Sequence, residues 1–238
     1  MGNVKPLVLV TGGSRGIGES ICKFFREEGW FVSSCGRAGV DHPHLDRWTP
    51  VDVTRTEALK AWIDREGQEF GPIRCLVNNA GRAGQQTLES PNDDIWDDLL
   101  AVNLSAPYYG SKFALPYFPK EGGGIVNIIS VLGHKGVADQ PAYCASKHGL
   151  VGLTKSLALA LAPRNIRVNG VSPGWVDTRM AQQRFQELET TGEECLGQVP
   201  LKKFVEADQI AQMVYLLGSS KITGMTGQVV IMDGGFLS

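Results

Sequence analysis

With 238 residues, 42% hydrophobic and 20% charged, the chain suits one globular α/β domain with a sizeable core, and a second domain would be crowded. A formal net charge of -2 with no long basic run argues against a nucleic-acid surface. The five cysteines, Cys22, Cys35, Cys75, Cys144 and Cys195, are widely spaced and form no C-x-x-C pair, which argues against a disulfide framework or a zinc site.

The N-terminal Met1-Gly2-Asn3-Val4-Lys5-Pro6 runs straight into an apolar strand, with no signal peptide and no Ser/Thr where a myristoylation signal requires one. No apolar run approaches the roughly 20 residues that span a bilayer. A soluble, cytoplasmic protein without a membrane partner is expected.

Leu7-Val8-Leu9-Val10 reads as a buried parallel strand that feeds Thr11-Gly12-Gly13-Ser14-Arg15-Gly16-Ile17-Gly18, after which Ile17, Ile21, Phe24 and Phe25 share a helix face. A strand, a glycine-rich turn and a helix N-terminus together make a phosphate cradle. The alternative is a tight turn that needs glycine only for its dihedrals, since Gly-x-x-x-Gly-x-Gly is neither the Gly-x-Gly-x-x-Gly fingerprint nor a P-loop.

A second strand, Trp30 to Cys35, ends at Gly36-Arg37, where a doubly wound fold meets the adenosine ribose. Arg37 stands there with no acid before Asp41, and Arg15 is within reach of the same place. Paired with a 2′-phosphate they favour NADP over NAD; the alternative is two solvated arginines. From Ala38 to Pro50 a loop or irregular crossover is expected. His42 and His44 within it suggest at most a weak metal site, and none is assigned.

Val51-Asp52-Val53 is expected to end a third strand, with Asp52 facing the adenine amino group, and Thr54 to cap a helix from Glu57 to Phe70. Ile73 to Val77 is the next strand, closed by Asn78-Asn79-Ala80-Gly81, small and amide residues suited to line a cofactor crevice. Ile95 to Phe118 reads as one long helix with Asn103 inside it, either back-bonded to the helix or aimed into a cleft.

Gly124 to Ile129 delivers Ser130 at a strand end. Then comes a helix from Pro141 to Leu161 carrying Tyr143 and Lys147, four residues apart and so on one face, with side chains roughly 6 Å apart. A cation beside a phenol favours the phenolate, making Tyr143 a candidate proton donor or acceptor. Tyr-x-x-x-Lys alone also arises by chance.

Ile166 to Val171 is the sixth strand, followed by Ser172-Pro173-Gly174-Trp175. Thr178 to Pro200 is polar with poor periodicity, as in a mobile lid or a surface excursion. Glu206 to Leu217 is the last helix and Gln228 to Met232 the seventh strand. Strands and helices alternate without repeats or linkers. The expectation is a single Rossmann-like, doubly wound domain over 1–238, about seven parallel strands with helices on both faces and a substrate loop around 178–200.

Taken together, Thr11-Gly-x-x-x-Gly-x-Gly18, Asn78-Asn79-Ala80-Gly81, Ser130, Tyr143-x-x-x-Lys147 and Pro173-Gly174 resemble the short-chain dehydrogenase/reductase family from about Leu7 to Phe236. The resemblance implies an oxidoreductase with a catalytic tetrad at Asn103, Ser130, Tyr143 and Lys147. It implies cofactor contacts from Gly12, Ser14, Arg15, Gly16, Ile17, Gly18, Arg37, Asp52, Val53, Asn79, Ala80, Gly81, Tyr143, Lys147, Pro173, Gly174, Val176 and Thr178. Tyr143 would exchange a proton with the substrate oxygen while hydride passes to or from the nicotinamide. Lys147 would lower the Tyr143 pKa and bind the nicotinamide ribose, Ser130 would hold the carbonyl oxygen, and Asn103 would anchor a relay water; no metal is required.

Two departures stand out: the segment between Arg37 and Asp52 is too short for the helix usual there, and His148 follows the lysine. Pro141 to Gly152 and Pro200 to Phe204 look most like β-ketoacyl-acyl carrier protein reductases of fatty-acid synthesis and polyketide ketoreductases. The expected activity is NADPH-dependent reduction of a 3-oxoacyl thioester. Candidate substrate contacts are Ser130, His134, Gln140, Tyr143 and Trp175, with Trp175 equally a core residue, and Lys135, Lys202 and Lys203 either meet an acyl carrier protein or are simply solvated. A dehydrogenase of a cyclic, sugar or steroid-like alcohol, with NAD possible, is the second reading, and a non-catalytic dinucleotide sensor the third. Family likeness also implies a homotetramer, for which Leu157 to Ala162 offers an apolar surface.

Overall fold

Seven strands form one parallel sheet in the order β3-β2-β1-β4-β5-β6-β7 in the computed structural model, which describes residues 5–37, 43–90 and 94–238. In chain order the elements are β1 (Leu7–Thr11), α1 (Gly16–Glu27), β2 (Phe31–Gly36), β3 (Arg47–Pro50), α2 (Thr56–Phe70), β4 (Ile73–Asn78), α3 (Asp94–Leu100), α4 (Ala106–Ala114), β5 (Gly123–Ile128), α5 (Pro141–Leu161), β6 (Ile166–Pro173), α6 (Arg179–Glu187), α7 (Gly192–Leu196), α8 (Ala207–Gly218) and β7 (Val229–Met232).

All five residues of β1 are buried, as a strand covered on both faces requires. On one face Leu7, Leu9, Leu76 and Ile125 pack with Trp62 and Ile63; on the other Val8, Val10, Val77 and Val126 pack with Phe25, Ile210 and Val214. The strand order reverses between β1 and β4, and the crevice for a ligand opens at the carboxyl ends of those two strands.

Three local expectations are corrected. The third strand is Arg47–Pro50, inside the stretch read as a loop, because it pairs with β2 from Ser33↔Arg47 to Gly36↔Pro50. Val51 to Val53 lies beyond it. Asp41 and His42 fall outside the described residues, and no helix joins β2 to β3 among those described. Thr54 does not cap α2. Its amide and hydroxyl both bond Asp52 Oδ1, at 3.0 and 2.8 Å, and the helix starts after Arg55 without a side-chain cap.

The long helix expected from Ile95 to Phe118 is broken. Between α3 and α4, Ala101–Ser105 forms a π-turn, in which the Ala106 amide bonds the Ala101 carbonyl five residues back. Pro107 has no N–H to give the Asn103 carbonyl four residues before it, so the ordinary helical ladder cannot run through this point. The polar stretch from Thr178 to Pro200 is instead largely helical. Thr178 Oγ1 accepts from the Ala181 amide at the start of α6, and Thr191 and Glu194 form a reciprocal capping box at α7.

Candidate active site

The glycine turn after β1 is built to admit something close. Gly12 and Gly16 hold φ of +74° and +55°, which L side chains rarely adopt, and a methyl on Gly12 would come within 2.9 Å of the Ala80 Cα. Arg15, at the N-terminal boundary of α1, supplies no side-chain cap, so the first turn of the helix keeps amides for a ligand. The Thr178 methyl would lie 3.3 Å from a Cβ at Gly16, which brings the start of α6 to the same turn. A helix N-terminus behind bare backbone suits a pyrophosphate. Gly18→Ala would push a methyl into the Gly12 carbonyl and the Asn79 amide. We expect it to cost about 1–3 kcal/mol in chemical denaturation and to remove dinucleotide binding in calorimetry.

Asn79 turns out to be part of that scaffold. Its Nδ2 donates to the carbonyls of Thr11 and Gly12 at 2.9 and 3.0 Å, while Thr11 Oγ1 accepts from the amides of Asn79 and Ala80, both at 3.0 Å. The side-chain N–H bonds expected to face a ligand therefore lock β1 to β4. Arg15 and Arg37 are both exposed at the crevice end of β1 and β2. Burial pushes the Asp52 carboxyl up, but its bonds from Thr54 and the nearby Arg37 outweigh this and hold it below the ordinary carboxylate value.

Ser130, Tyr143 and Lys147 come together where the end of β5 meets the first turns of α5. Ser130 Oγ accepts the Leu132 amide at 3.1 Å, and its hydroxyl is near enough to the Tyr143 phenol to favour the phenolate. Lys147, 4% exposed, donates to the Ile128 carbonyl at 2.9 Å with its ammonium 5.7 Å from the Tyr143 ring centre. Burial lowers Lys147 to about 8. Burial also raises Tyr143 to about 12. The depression of the phenol expected from its lysine neighbour is not seen: lost solvation of the phenolate dominates, and Ser130 is the group that opposes it.

Asn103 is fully buried in the π-turn and neither back-bonds its helix nor reaches Lys147. Its Nδ2 donates to the Arg82 carbonyl at 2.9 Å and to Ser146 Oγ at 3.1 Å, and its Oδ1 accepts the Arg82 amide at 3.0 Å. Ser146 in turn donates to the Tyr143 carbonyl at 2.8 Å. Asn103 thereby ties the loop after β4 to the helix bearing Tyr143. A Cβ at Gly81 would lie 3.1 Å from Asn103 Oδ1 and 3.7 Å from Lys147 Nζ, so Gly81 keeps these two side chains on one small space.

Other expected contacts are placed differently. His134 Nε2 bonds Ser172 Oγ at 2.9 Å, which turns the ring toward the end of β6. Trp175 packs on Phe185, ring centres 5.1 Å apart, in a small core with Ala181, Cys195 and Phe204, so it supports α6 and α7 rather than standing free. Gly174 lies against the Asp233 backbone, Val176 is buried, and His148 Nδ1 bonds the Cys144 carbonyl at 2.9 Å. Lys135 sits over the Phe236 ring at 4.4 Å and Lys202 donates to the Gly197 carbonyl, which occupies two of the three lysines considered for a carrier protein.

Sequence reasoning missed the other side of the cleft. Asp139, just before α5, receives Arg184 of α6 at 2.7 Å, and its carbonyl accepts the Gln86 amide at 2.9 Å. No local signal joins residues so far apart in sequence.

Residues 12–237 match a family model described as Enoyl-(Acyl carrier protein) reductase. The chain belongs to the short-chain dehydrogenase/reductase family. It is 34% identical to the 3-oxoacyl-(acyl-carrier-protein) reductase of Thermotoga maritima, with 96% of each chain covered. It is equally 34% identical to a probable galactose dehydrogenase of Rhizobium meliloti, over 96% of this chain and 93% of the other. Among solved structures, ligand-free aldohexose dehydrogenase of Thermoplasma acidophilum superposes with a TM-score of 0.90 at 34% identity, covering 98% of this chain and 94% of that one. The protein is therefore an oxidoreductase of this family with a Rossmann-like sheet, and family membership carries with it a nicotinamide dinucleotide. Among the described residues no helix is long and apolar enough to cross a membrane, and no group of His, Cys, Asp and Glu could hold a metal ion.

Proposed function

We propose that the protein reduces a ketone to a secondary alcohol with NADPH, a 3-oxoacyl thioester on coenzyme A or acyl carrier protein being the favoured substrate. The observation that carries this reading is the buried Lys147 ammonium, 5.7 Å from the Tyr143 ring centre and bonded to the Ile128 carbonyl near the end of the strand that delivers Ser130. When bound, a reduced nicotinamide dinucleotide would supply the hydride for the carbonyl carbon. Ser130 holds the carbonyl oxygen, and Tyr143, kept as a neutral phenol, gives that oxygen its proton. Lys147 binds the ribose hydroxyls once the dinucleotide is in place and returns the proton to Tyr143. Asn103 fixes the loop and helix between which a relay water would sit. Gly12, Ser14, Gly16, Ile17, Gly18 and Thr178 would hold the pyrophosphate. Asp52, Val53, Ala80 and Gly81 line the adenosine and ribose side, and Pro173, Gly174 and Val176 the nicotinamide side.

Arg15 and Arg37 pair with the 2′-phosphate. We expect Arg37→Ala to lower the NADPH-to-NADH ratio of kcat/KM by about 10–100-fold, since bonds to charged groups contribute about 1.5–3 kcal/mol. An unchanged ratio would remove Arg37 from coenzyme choice.

A second reading, a sugar or cyclic-alcohol dehydrogenase, is favoured by the equal likeness to a probable galactose dehydrogenase and to an aldohexose dehydrogenase. Coenzyme oxidation with acetoacetyl thioesters, run beside coenzyme reduction with aldohexoses, separates the two. Binding of NADPH without turnover in either direction would favour a dinucleotide sensor. The protein is read as cytoplasmic and as a homotetramer assembled on α5 and β7, where Leu159 and Ile231 are exposed.

A further inference from the structure

Two buried amide side chains, Gln140 one turn before Tyr143 and Gln86 in the loop after β4, each have a polar atom with nothing to bond. Gln140 is 2% exposed and its Nε2 has no partner; Gln86 is 6% exposed and its Oε1 has no partner. They belong to one structure. The Gln86 backbone N–H donates to the Asp139 backbone carbonyl, and Gln140 is the next residue, its own backbone carbonyl accepting the Cys144 N–H in the first turn of α5. The Asp139 carboxylate is gripped by Arg184 from α6 and reached by Gln85 Nε2 at 3.4 Å, which fixes this rim from both sides. A buried amide atom left unpaired costs free energy, and a donor and an acceptor left so on two segments joined by a backbone hydrogen bond next to the start of α5 suit a ligand that satisfies both.

We infer that Gln140 and Gln86 form a polar subsite: the Gln140 amide donates to, and the Gln86 carbonyl accepts from, a substrate group that can do both, set beyond the reacting carbonyl. This rests on the ketoreductase reading and adds the substrate's second recognition element. A hydroxyl has the required chemistry, as on a polyol or cyclic hydroxyketone, and so does a secondary amide, as on a thioester arm. A plain alkyl ketone has neither and would leave both atoms unpaired in the closed complex.

Two matched pairs of ketones test this. Acetoacetyl N-acetylcysteamine thioester is compared with acetoacetyl propyl thioester, and 4-hydroxycyclohexanone with cyclohexanone. The wild-type protein is expected to favour the polar member of at least one pair by about tenfold in kcat/KM, and the pair that responds tells amide from hydroxyl. In Gln86→Met, Gln140→Met and the double variant that ratio should fall toward one. The Tm of the ligand-free double variant should rise, because two unsatisfied amides are replaced by thioethers of similar size. A ratio near one in the wild type for both pairs, a ratio that survives in the double variant, or a Tm that drops would overturn the subsite. If no ketone is reduced, it is the ketoreductase reading that fails. The subsite is then judged by calorimetry with N-acetylcysteamine and cyclohexane-1,4-diol in the presence of NADPH. Binding at least tenfold weaker in the double variant supports it, and absent or equal affinity overturns it.

Discussion

Tyr143→Phe is expected to lower kcat for ketone reduction by about a thousandfold while leaving the dissociation constant for NADPH within about threefold, as loss of a positioned general acid implies. The phenol is 8% exposed and its pKa is raised to about 12, so at neutral pH it is a neutral O–H. That is the form a carbonyl reduction needs: the hydroxyl gives up its proton as charge grows on the substrate oxygen. The sign also fixes the pH behaviour of the ligand-free protein. Because the raised value lies above 10, Tyr143 takes no part in any titration between pH 6 and 9 before ligands bind. The substitution removes one oxygen from a pocket otherwise shaped by Leu99, Ala142 and Leu132, so the fold should persist. Steady-state rates and NADPH fluorescence titration read the two quantities separately. A Phe variant with near wild-type rate would remove Tyr143 from the proton transfer.

Lys147→Met should do the reverse to stability of what it does to function. Lys147 falls from an ordinary 10.5 to about 8 on burial, so the folded protein pays to keep its ammonium at neutral pH. At about 1.4 kcal/mol per pH unit that cost is about 3 kcal/mol, and losing the donor to the Ile128 carbonyl returns about 1 kcal/mol of it. The ligand-free variant is therefore expected to gain about 2 kcal/mol at pH 7, roughly 5 °C in Tm for a chain of this size. Below pH 8 the lysine is charged in both folded and unfolded chains and the difference is full. Between pH 8 and 10.5 it is neutral when folded and charged when unfolded, so wild-type stability rises and the gap between the two proteins closes. Turnover should fall by at least a hundredfold and NADPH affinity by about tenfold, because in the proposed function the ammonium is the group that would meet the ribose. Differential scanning calorimetry at pH 7 and pH 10 checks the first statement. A variant less stable than wild type at pH 7 would mean that Lys147 is held favourably, against the burial argument.

Most of the fold could be read from the chain because its signals are local. The apolar runs at Leu7–Val10 and Ile73–Val77 are buried parallel strands, and α5 begins and ends at Pro141 and Leu161 as its pattern indicates. What failed were features set by partners distant in sequence or by a single missing donor. β3 is only four residues, Arg47 to Pro50, too short for its alternation to stand out and closed by a proline, and its pairing with β2 is what makes it a strand. The π-turn at Asn103 was written in Pro107 four residues on, a signal that an apolar-periodicity reading passes over. The Thr191 to Glu194 capping box was also visible, yet lay in a stretch judged by its polarity. In the site, residue types pointed to Ser130, Tyr143 and Lys147, which the fold does bring together. They left Trp175 open between core and substrate contact, and could not tell that Asn79 gives its amide to the turn or that Gln86 and Arg184 meet Asp139.

The central claim is a hydride transfer at the Ser130–Tyr143–Lys147 site. It is tested most directly with acetoacetyl N-acetylcysteamine thioester and NADPH carrying deuterium at the nicotinamide C4, in separate runs for each of the two faces. The account predicts that one of the two labelled coenzymes places its deuterium on the new carbinol carbon, with a lowered rate, and that the other transfers hydrogen only. Consumption of coenzyme with no deuterium in the product from either face, or no reduction of any ketone or oxidation of any alcohol, would contradict it.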